Sequence, residues 1–365
     1  MAAQHLDALL VTTLPNILYL TNFTGSAAVV VLTADRLYFI TDFRYATAVA
    51  ATQASASACP DLDLVMVEGS YDATVAALLP TLATPRIGFE AANLTVGRHA
   101  WLTTTIGRGG TAPTLVAVDG MGLVERARER KDAGEIAVLR EAARRLSRVA
   151  EDVFSIVRAG RAERDVALDI DWRIRKAGFE RTAFDTIVAA GTNGALPHAH
   201  PGERTINEGD LVVLDFGGVY ASYCVDLTRT VSVGPATAKG REVYAAVLDA
   251  HDRAIETVRP GRSRFDIDQA ARDTLTRHGL GHVFGHGTGH GLGIEVHEDP
   301  RIASRRPGES GTDARDEFVA PGMVFTIEPG AYLPDWGGVR IEDDVLVTDK
   351  GVEVLTDVTT ELLEL

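Results

Sequence analysis

Residues 211–230 read LVVLDFGGVYASYCVDLTRT, two apolar, β-rich runs on either side of a short polar stretch. Val, Leu, Phe, Tyr and Thr in runs of this length predict strands over 211–217 and 223–231, joined as an antiparallel hairpin. Each strand carries one acid, Asp215 and Asp226. A turn centred on 220–221 places these two directly opposite, with both side chains on one face of the hairpin. Acids so placed repel each other, and acidic side chains are rarely buried unless paired or bound to a metal. The hairpin therefore calls for a cation.

The same signature recurs downstream. Glu328 sits in MVFTIEPG, where Pro-Gly ends a predicted strand over 323–328, and Glu342 sits in VRIEDDVLV, a predicted strand over 339–347. Two residues apart on one strand, Arg340 and Glu342 are expected to share a face. His290 lies in GHGTGHGLG, where glycine lets the backbone approach a ligand and imidazole is a common metal donor. Eight of the ten histidines fall between 198 and 297, which makes this region the place to look for further site residues. Four acids exceed the charge of one divalent ion and match two. A donor set of oxygens and one imidazole favours Mn, with Co or Zn as the other choices, over a structural zinc site built from thiolates. Two such ions about 3.5–4 Å apart hold a bridging hydroxide and polarise a carbonyl, so the chemistry implied is hydrolysis.

A chain of 365 residues is too long for one ordinary core and predicts two domains. The net charge of -15 speaks against a nucleic-acid partner, which needs a basic face. With only Cys59 and Cys224, no disulfide framework is expected. No apolar run approaches the ~20 residues of a membrane span, and the first basic residue is Arg36, unlike a secretory leader. The expectation is a cytoplasmic protein with no membrane partner.

The first domain is expected over 1–120. Strand-like runs at 6–12, 27–33, 36–42, 62–68, 86–91 and 114–120 alternate with Ala/Leu-rich helical stretches, the pattern of a three-layer α/β domain with a mixed sheet. Residues 121–131 are expected to start one charged helical segment, and 132–365 to form an α+β domain whose antiparallel sheet is covered by helices. Asp132, three residues before Glu135, marks a helix start, and Ile136, Leu139, Ala143, Leu146, Val149 and Val153 keep helical spacing after it. Further helices are expected at 163–178, 237–257 and 264–279, and a further strand at 185–190.

ALPHAHP (195–201), the hairpin 211–230, GHGTGHGLGIEVHEDPRI (285–302), PGMVFTIEPG (321–330) and GVRIEDDVLVT (338–348) together resemble the M24 "pita-bread" metallopeptidases. That group holds aminopeptidase P, prolidase and methionine aminopeptidase. The resemblance covers about 131–365, and the preceding α/β domain matches the creatinase N-terminal-like domain of the two-domain members. It implies that Asp215 chelates one metal, that Asp226 and Glu342 bridge both, and that His290 and Glu328 hold the other. His198 and His297 would flank the scissile peptide, and Glu328 would pass a proton to the leaving proline nitrogen. Arg340 would support the ligands, while His286 and Arg301 would line the substrate site, Arg301 against a substrate carboxylate. The substrate implied is a dipeptide or peptide with proline in second position. Dipeptidase and aminopeptidase readings both stand, as do a metal-dependent hydrolase of a small non-peptide amide and a non-catalytic peptide-binding module. The resemblance also implies a homodimer, in which Asp42, Arg44 and Tyr45 could reach the partner's site. One departure stands out: residues 299–320 read as a long surface loop rich in Gly, Pro, Ser and charge.

Overall fold

The structure is a computed structural model that describes residues 1–108, 112–118, 122–305 and 317–365. The chain divides into two compact units, Met1–Arg128 and Glu129–Leu365. The boundary expected at Asp119–Gly120 falls on residues outside the described ones.

In the first unit, strands and helices alternate as β1 (Ala8–Val11), α1 (Leu14–Thr21), β2 (Val29–Leu32), β3 (Leu37–Thr41), α2 (Phe43–Gln53), β4 (Leu62–Met66), α3 (Tyr71–Leu78), β5 (Arg86–Glu90), α4 (Val96–Gly107), β6 (Thr114–Val118) and α5 (Leu123–Glu129). The sheet runs β4-β3-β2-β1-β5-β6. It is mixed: β1–β2 and β2–β3 are antiparallel, whereas β3–β4, β1–β5 and β5–β6 are parallel. Both faces are covered, so the strands are apolar at successive positions rather than at alternate ones. Leu9, Val11, Val30 and Phe39 pack with Ile17, Val49 and Val124 on one side. Leu10, Val29, Val31 and Ile40 pack with Val75, Leu79, Leu102 and Ile106 on the other. Asp42 caps α2, accepting from the Arg44 backbone at 3.0 Å and from Tyr71 Oη at 2.6 Å, and Tyr45 Oη lies 2.6 Å from Ser26 Oγ.

The expected single helical segment after 121 is two helices. Arg130, Lys131 and Asp132 separate α5 from α6 (Ala133–Phe154), and Asp132 with Glu135 forms a complete capping box there. The Asp132, Gly134 and Glu135 N–H groups are all satisfied there, so the chain restarts a helix rather than continuing one. Leu139, Ala143, Leu146, Val149 and Val153 are all buried in one core cluster, as their spacing predicts.

The second unit continues with α7 (Glu163–Lys176), β7 (Arg181–Thr182), β8 (Ile187–Ala190), β9 (Leu211–Tyr220), β10 (Tyr223–Ser232), α8 (Ala238–Thr257), α9 (Arg264–Arg277), β11 (Gly289–Gly291), β12 (Glu298–Ile302), β13 (Val324–Ile327), β14 (Gly330–Leu333), β15 (Gly337–Arg340), β16 (Asp343–Thr348) and β17 (Gly351–Val354). Every pairing among these strands is antiparallel. They form three sheets rather than the one expected: β10-β9-β7 with β8 on β9, β12-β11-β13-β16-β17, and β14-β15. One core packs α6 and α7 against β8, β9 and β10, and a second packs α8 and α9 against β13, β15 and β16. Cys59 and Cys224 are buried free thiols. Among the described residues, no helix is long and apolar enough to cross a membrane.

Two local expectations are corrected. The hairpin register is shifted: Asp226 faces Gly217, and Asp215 faces Thr228. The cause is a two-residue turn at Ala221-Ser222, whose φ values of 46° and 68° fit the tight hairpin turns with positive φ at both central residues. Because 215 and 217 lie two apart, Asp215 and Asp226 still share a face, now as diagonal neighbours. The left-handed region costs residues other than Gly on the order of 1 kcal/mol each. Replacing Ala221-Ser222 by Asn-Gly should therefore raise stability by about 1 kcal/mol in chemical denaturation; a loss would mean that the turn is not where the register is set.

The second correction concerns 339–347, which is not one strand. Arg340 ends β15, β16 begins at Asp343, and Glu342 sits between them in an isolated bridge to Thr228. Arg340 thus ends one strand while Glu342 lies in the break before the next, rather than both sharing one strand face. The expected loop 299–320 begins instead as β12, and residues 306–316 lie outside the described ones.

Candidate metal centre

Strands β9 and β10 carry Asp215 and Asp226, β11 carries His290, the end of β13 presents Glu328, and the β15–β16 junction presents Glu342. One donor atom each from Asp226, His290 and Glu342 lie within 4.8 Å of one another. Glu328 joins them, its Oε1 lying 3.6 Å from His290 Nε2. Asp215 is held from the side by Arg340, Nη2 to Oδ2 at 2.5 Å. His290 is oriented at both ends: its backbone N–H donates to Thr326 Oγ1 at 3.1 Å, and its Nδ1 lies 3.0 Å from Gly291 O. The latter contact assigns the ring proton to Nδ1 and leaves the Nε2 lone pair facing the acids.

Close backbone packing brings His290 in. A side chain on Gly289 would meet Thr326 O at 1.8 Å, and one on Gly291 would meet Asp299 O at 2.2 Å. Only glycine fits at either position.

Electrostatics single out the same residues. Burial, reinforced by Asp215, Asp344 and Glu328, pushes the Asp226 carboxyl well above its ordinary value. Burial, with Asp226 and Glu328 next, does the same to Glu342. Glu328 is pushed up to about 7 by burial, with Asp215 adding to it against the pull of Arg340. His290 is held down to about 4, first by burial and then by His297, which keeps the ring a neutral donor. Buried Asp226 Oδ1 has no hydrogen-bond partner. A buried orphan carboxylate oxygen amid mutually repelling acids and a neutral imidazole fits a divalent cation and little else.

The remaining candidates are distributed around this cluster. His297 is exposed, and its ring lies 4.3 Å from that of His290. Exposed Arg301 sits opposite His290 in the β11–β12 register. His198 is exposed on the loop after residues 191–195, close enough to His286 and His297 to disfavour their protonation. His286 Nε2 lies 2.8 Å from Tyr332 Oη, which also accepts from Arg340 Nη1 at 2.8 Å. Arg340 reaches Thr228 Oγ1 and Pro197 O as well, both at 3.3 Å.

Three polar residues of the cluster escape the sequence reading. Tyr332 joins His286 to Arg340; Thr228 Oγ1 donates to Glu342 Oε2 at 2.5 Å; and Asp344 Oδ2 accepts from the Asp226 backbone at 3.0 Å. Asp344 was within reach, since EDD in an apolar run is itself anomalous. Tyr332 and Thr228 look like ordinary strand residues until their partners are known.

What these strands converge on is a candidate metal centre. The chain belongs to metallopeptidase family M24, which it matches over residues 137–349, and residues 1–130 match the creatinase/prolidase N-terminal domain. It is 36% identical to the uncharacterized peptidase YqhT of Bacillus subtilis over 98% of this chain and 96% of that one. To an Xaa-Pro dipeptidase of Pyrococcus furiosus it is 40% identical over 64% of each chain. The solved structure of an Xaa-Pro dipeptidase from Bacillus anthracis superposes with a TM-score of 0.90 at 37% identity, covering 100% of this chain and 96% of that one. An X-Pro aminopeptidase from Thermotoga maritima superposes with a TM-score of 0.86 at 31% identity, covering 99% and 98%.

Proposed function

We propose that this chain is a peptidase that hydrolyses the bond between an N-terminal residue and proline, in a dipeptide or a longer peptide. The observation that carries this reading is the buried cluster of Asp226, His290 and Glu342, with its orphan Asp226 Oδ1, in a chain of family M24. Asp215, Asp226, His290, Glu328 and Glu342 would hold two divalent ions, manganese by the oxygen-rich donor set. When bound, those ions supply Lewis-acid polarisation of the scissile carbonyl and a water acidic enough to attack it at neutral pH. The reading extends to a homodimer in the cytoplasm, with Asp42, Arg44 and Tyr45 facing the partner's site.

The chain's own residues supply the rest. Arg340 holds the Asp215 carboxylate and, through Tyr332, the His286 ring. His198 and His297 would flank the scissile peptide. Partial desolvation, with Arg301 and His198 nearby, lowers the His297 pKa, so that its neutral ring would donate one hydrogen bond to the substrate. Glu328 hands a proton to the leaving proline nitrogen, which has no hydrogen of its own in the substrate. Arg301 would pair with a substrate carboxylate.

Hydrolysis of Ala-Pro and Ala-Pro-Ala by metal-stripped protein, with Mn²⁺, Co²⁺ or Zn²⁺ restored, tests this. Cleavage of the dipeptide alone would make it a dipeptidase and support Arg301 as the carboxylate partner. Cleavage of the tripeptide would make it an aminopeptidase. Neither cleavage with any metal would overturn the reading.

A further inference from the structure

Arg229 follows Thr228 on β10, and its side chain is only 3% exposed. Its guanidinium is saturated with partners from three segments. Nη1 donates to Thr228 O at 2.9 Å and to Glu342 O at 2.5 Å. Nη2 donates to Asp343 Oδ1 at 2.8 Å and to Val358 O at 2.7 Å, and Nε donates to Thr359 O at 2.8 Å. A planar, always-charged fork holds such a set in one fixed geometry, which a lysine cannot reproduce.

Two of these contacts fall on the strand junction that presents Glu342. There the Glu342 backbone N–H donates to Thr228 O at 3.1 Å, while Thr228 Oγ1 donates to Glu342 Oε2 at 2.5 Å. Thr228 thus sets the carboxylate, and Arg229 sets the main chain behind it. The other end of the fork grips a segment that is itself anchored. Thr356 Oγ1 donates to Asp343 Oδ1 at 2.5 Å, the Asp357 N–H to Ser147 Oγ at 2.9 Å, and Tyr244 Oη to Thr360 O at 2.9 Å. Further on, Leu365 N–H donates to Ser232 O at 2.8 Å, and Ser232 N–H to Leu363 O at 2.8 Å.

We propose that Arg229 is a positioning residue for the metal-holding carboxylate of Glu342, and that the carbonyls of Val358 and Thr359 are the fixed support against which it works. The proposal rests on the reading of Glu342 as a metal ligand. It makes a stretch of chain with no metal-binding side chain of its own in play a determinant of metal affinity. The bland alternative is that Arg229 only neutralises buried Asp343 and holds the core together.

Metal affinity of the folded, metal-stripped protein separates the two. Mn²⁺ titration calorimetry well below the unfolding temperature is the readout, on the intact chain, on Arg229→Lys and Arg229→Met, and on two truncations. A chain ending at Asp357 loses both carbonyls that Arg229 grips. A chain ending at Glu361 keeps them and loses the Leu363 and Leu365 bonds to Ser232. Residues that orient a metal's ligands typically contribute 10–100-fold to affinity. We expect a loss in that range for both Arg229 variants and for the chain ending at Asp357, with no further loss when Arg229→Met is combined with that truncation. The chain ending at Glu361 should melt earlier yet bind Mn²⁺ as the intact chain does. Unchanged affinity in folded Arg229→Met would overturn the proposal. Should that variant not fold, unchanged affinity in the chain ending at Asp357 would overturn it equally. No uptake of Mn²⁺ by the intact chain would overturn both this proposal and the metal reading beneath it.

Discussion

Replacing Asp226 with asparagine should abolish turnover and, at neutral pH, make the metal-free protein harder to unfold. The two effects have one origin. Asp226 is 5% exposed, and burial together with Asp215, Asp344 and Glu328 opposes its ionisation. Without a cation its charge is a burden on the fold, and an amide of the same shape removes that burden while keeping the packing. On the proposed reading, the same charge would help bind the ions in the metal-loaded protein. A metal centre stabilises the transition-state charge by several kcal/mol. Disabling it should lower kcat/KM on the order of 10³-fold or more, each factor of ten being about 1.4 kcal/mol. Relief of even ~1 kcal/mol should raise the melting temperature of the chelated variant by about 2–4 °C for a unit of this size. Steady-state kinetics on Ala-Pro with added Mn²⁺ and thermal melts in chelator check the two arms. Near-normal turnover would remove Asp226 from the ligand set, and a lower melting temperature would refute the electrostatic account.

The second large effect is a divergence, with rising pH, of the stability profiles with and without metal. Glu328 has a folded-state value raised from 4.5 to about 7, and Asp226, Glu342 and Asp344 are raised well above theirs. Between the ordinary carboxylate range and these raised values the folded chain binds more protons than the unfolded one. Stability rises with pH only where the unfolded state binds more protons, so here it falls. The four raised carboxyls outnumber the lowered His286, His290 and His297, which pull the other way, so the metal-free protein should still lose stability from about pH 4.5 upward through pH 7. The Glu328 shift alone corresponds to on the order of 3 kcal/mol. Divalent ions need the same carboxylates deprotonated, so the stability they confer grows over that window. Melting curves in chelator and in excess Mn²⁺ from pH 5 to 8.5 should diverge as pH rises. A chelated protein that becomes more stable toward pH 8 would contradict this.

Most of the architecture is legible in the sequence because strands buried on both faces leave an unmistakable run. The six strands of the N-terminal sheet fall where Val, Leu and Ile cluster, and the capped start of α6 follows from Asp132 and Glu135. The acids of the centre are legible for the complementary reason, as charges out of place in apolar runs. Geometry within the runs is less so. Ala221-Ser222 carries neither the glycine nor the asparagine that usually announces a tight hairpin turn, so the register had to come from the structure. The break at Ile341–Glu342 likewise has no proline or glycine to mark it. Thr228, Tyr332 and Arg229 owe their roles to partners far away in sequence, and no local pattern carries that information.

The glycines on either side of His290 have a meaning separate from chemistry. Gly289 and Gly291 are required by the strand carbonyls that press against them, with or without a metal beside His290. A descendant of this chain that gave up catalysis could replace His290 without touching either carbonyl, yet would have to keep both glycines to fold. The Gly-His-Gly spacing is therefore a marker of ancestry, and the residue between the glycines is the marker of trade.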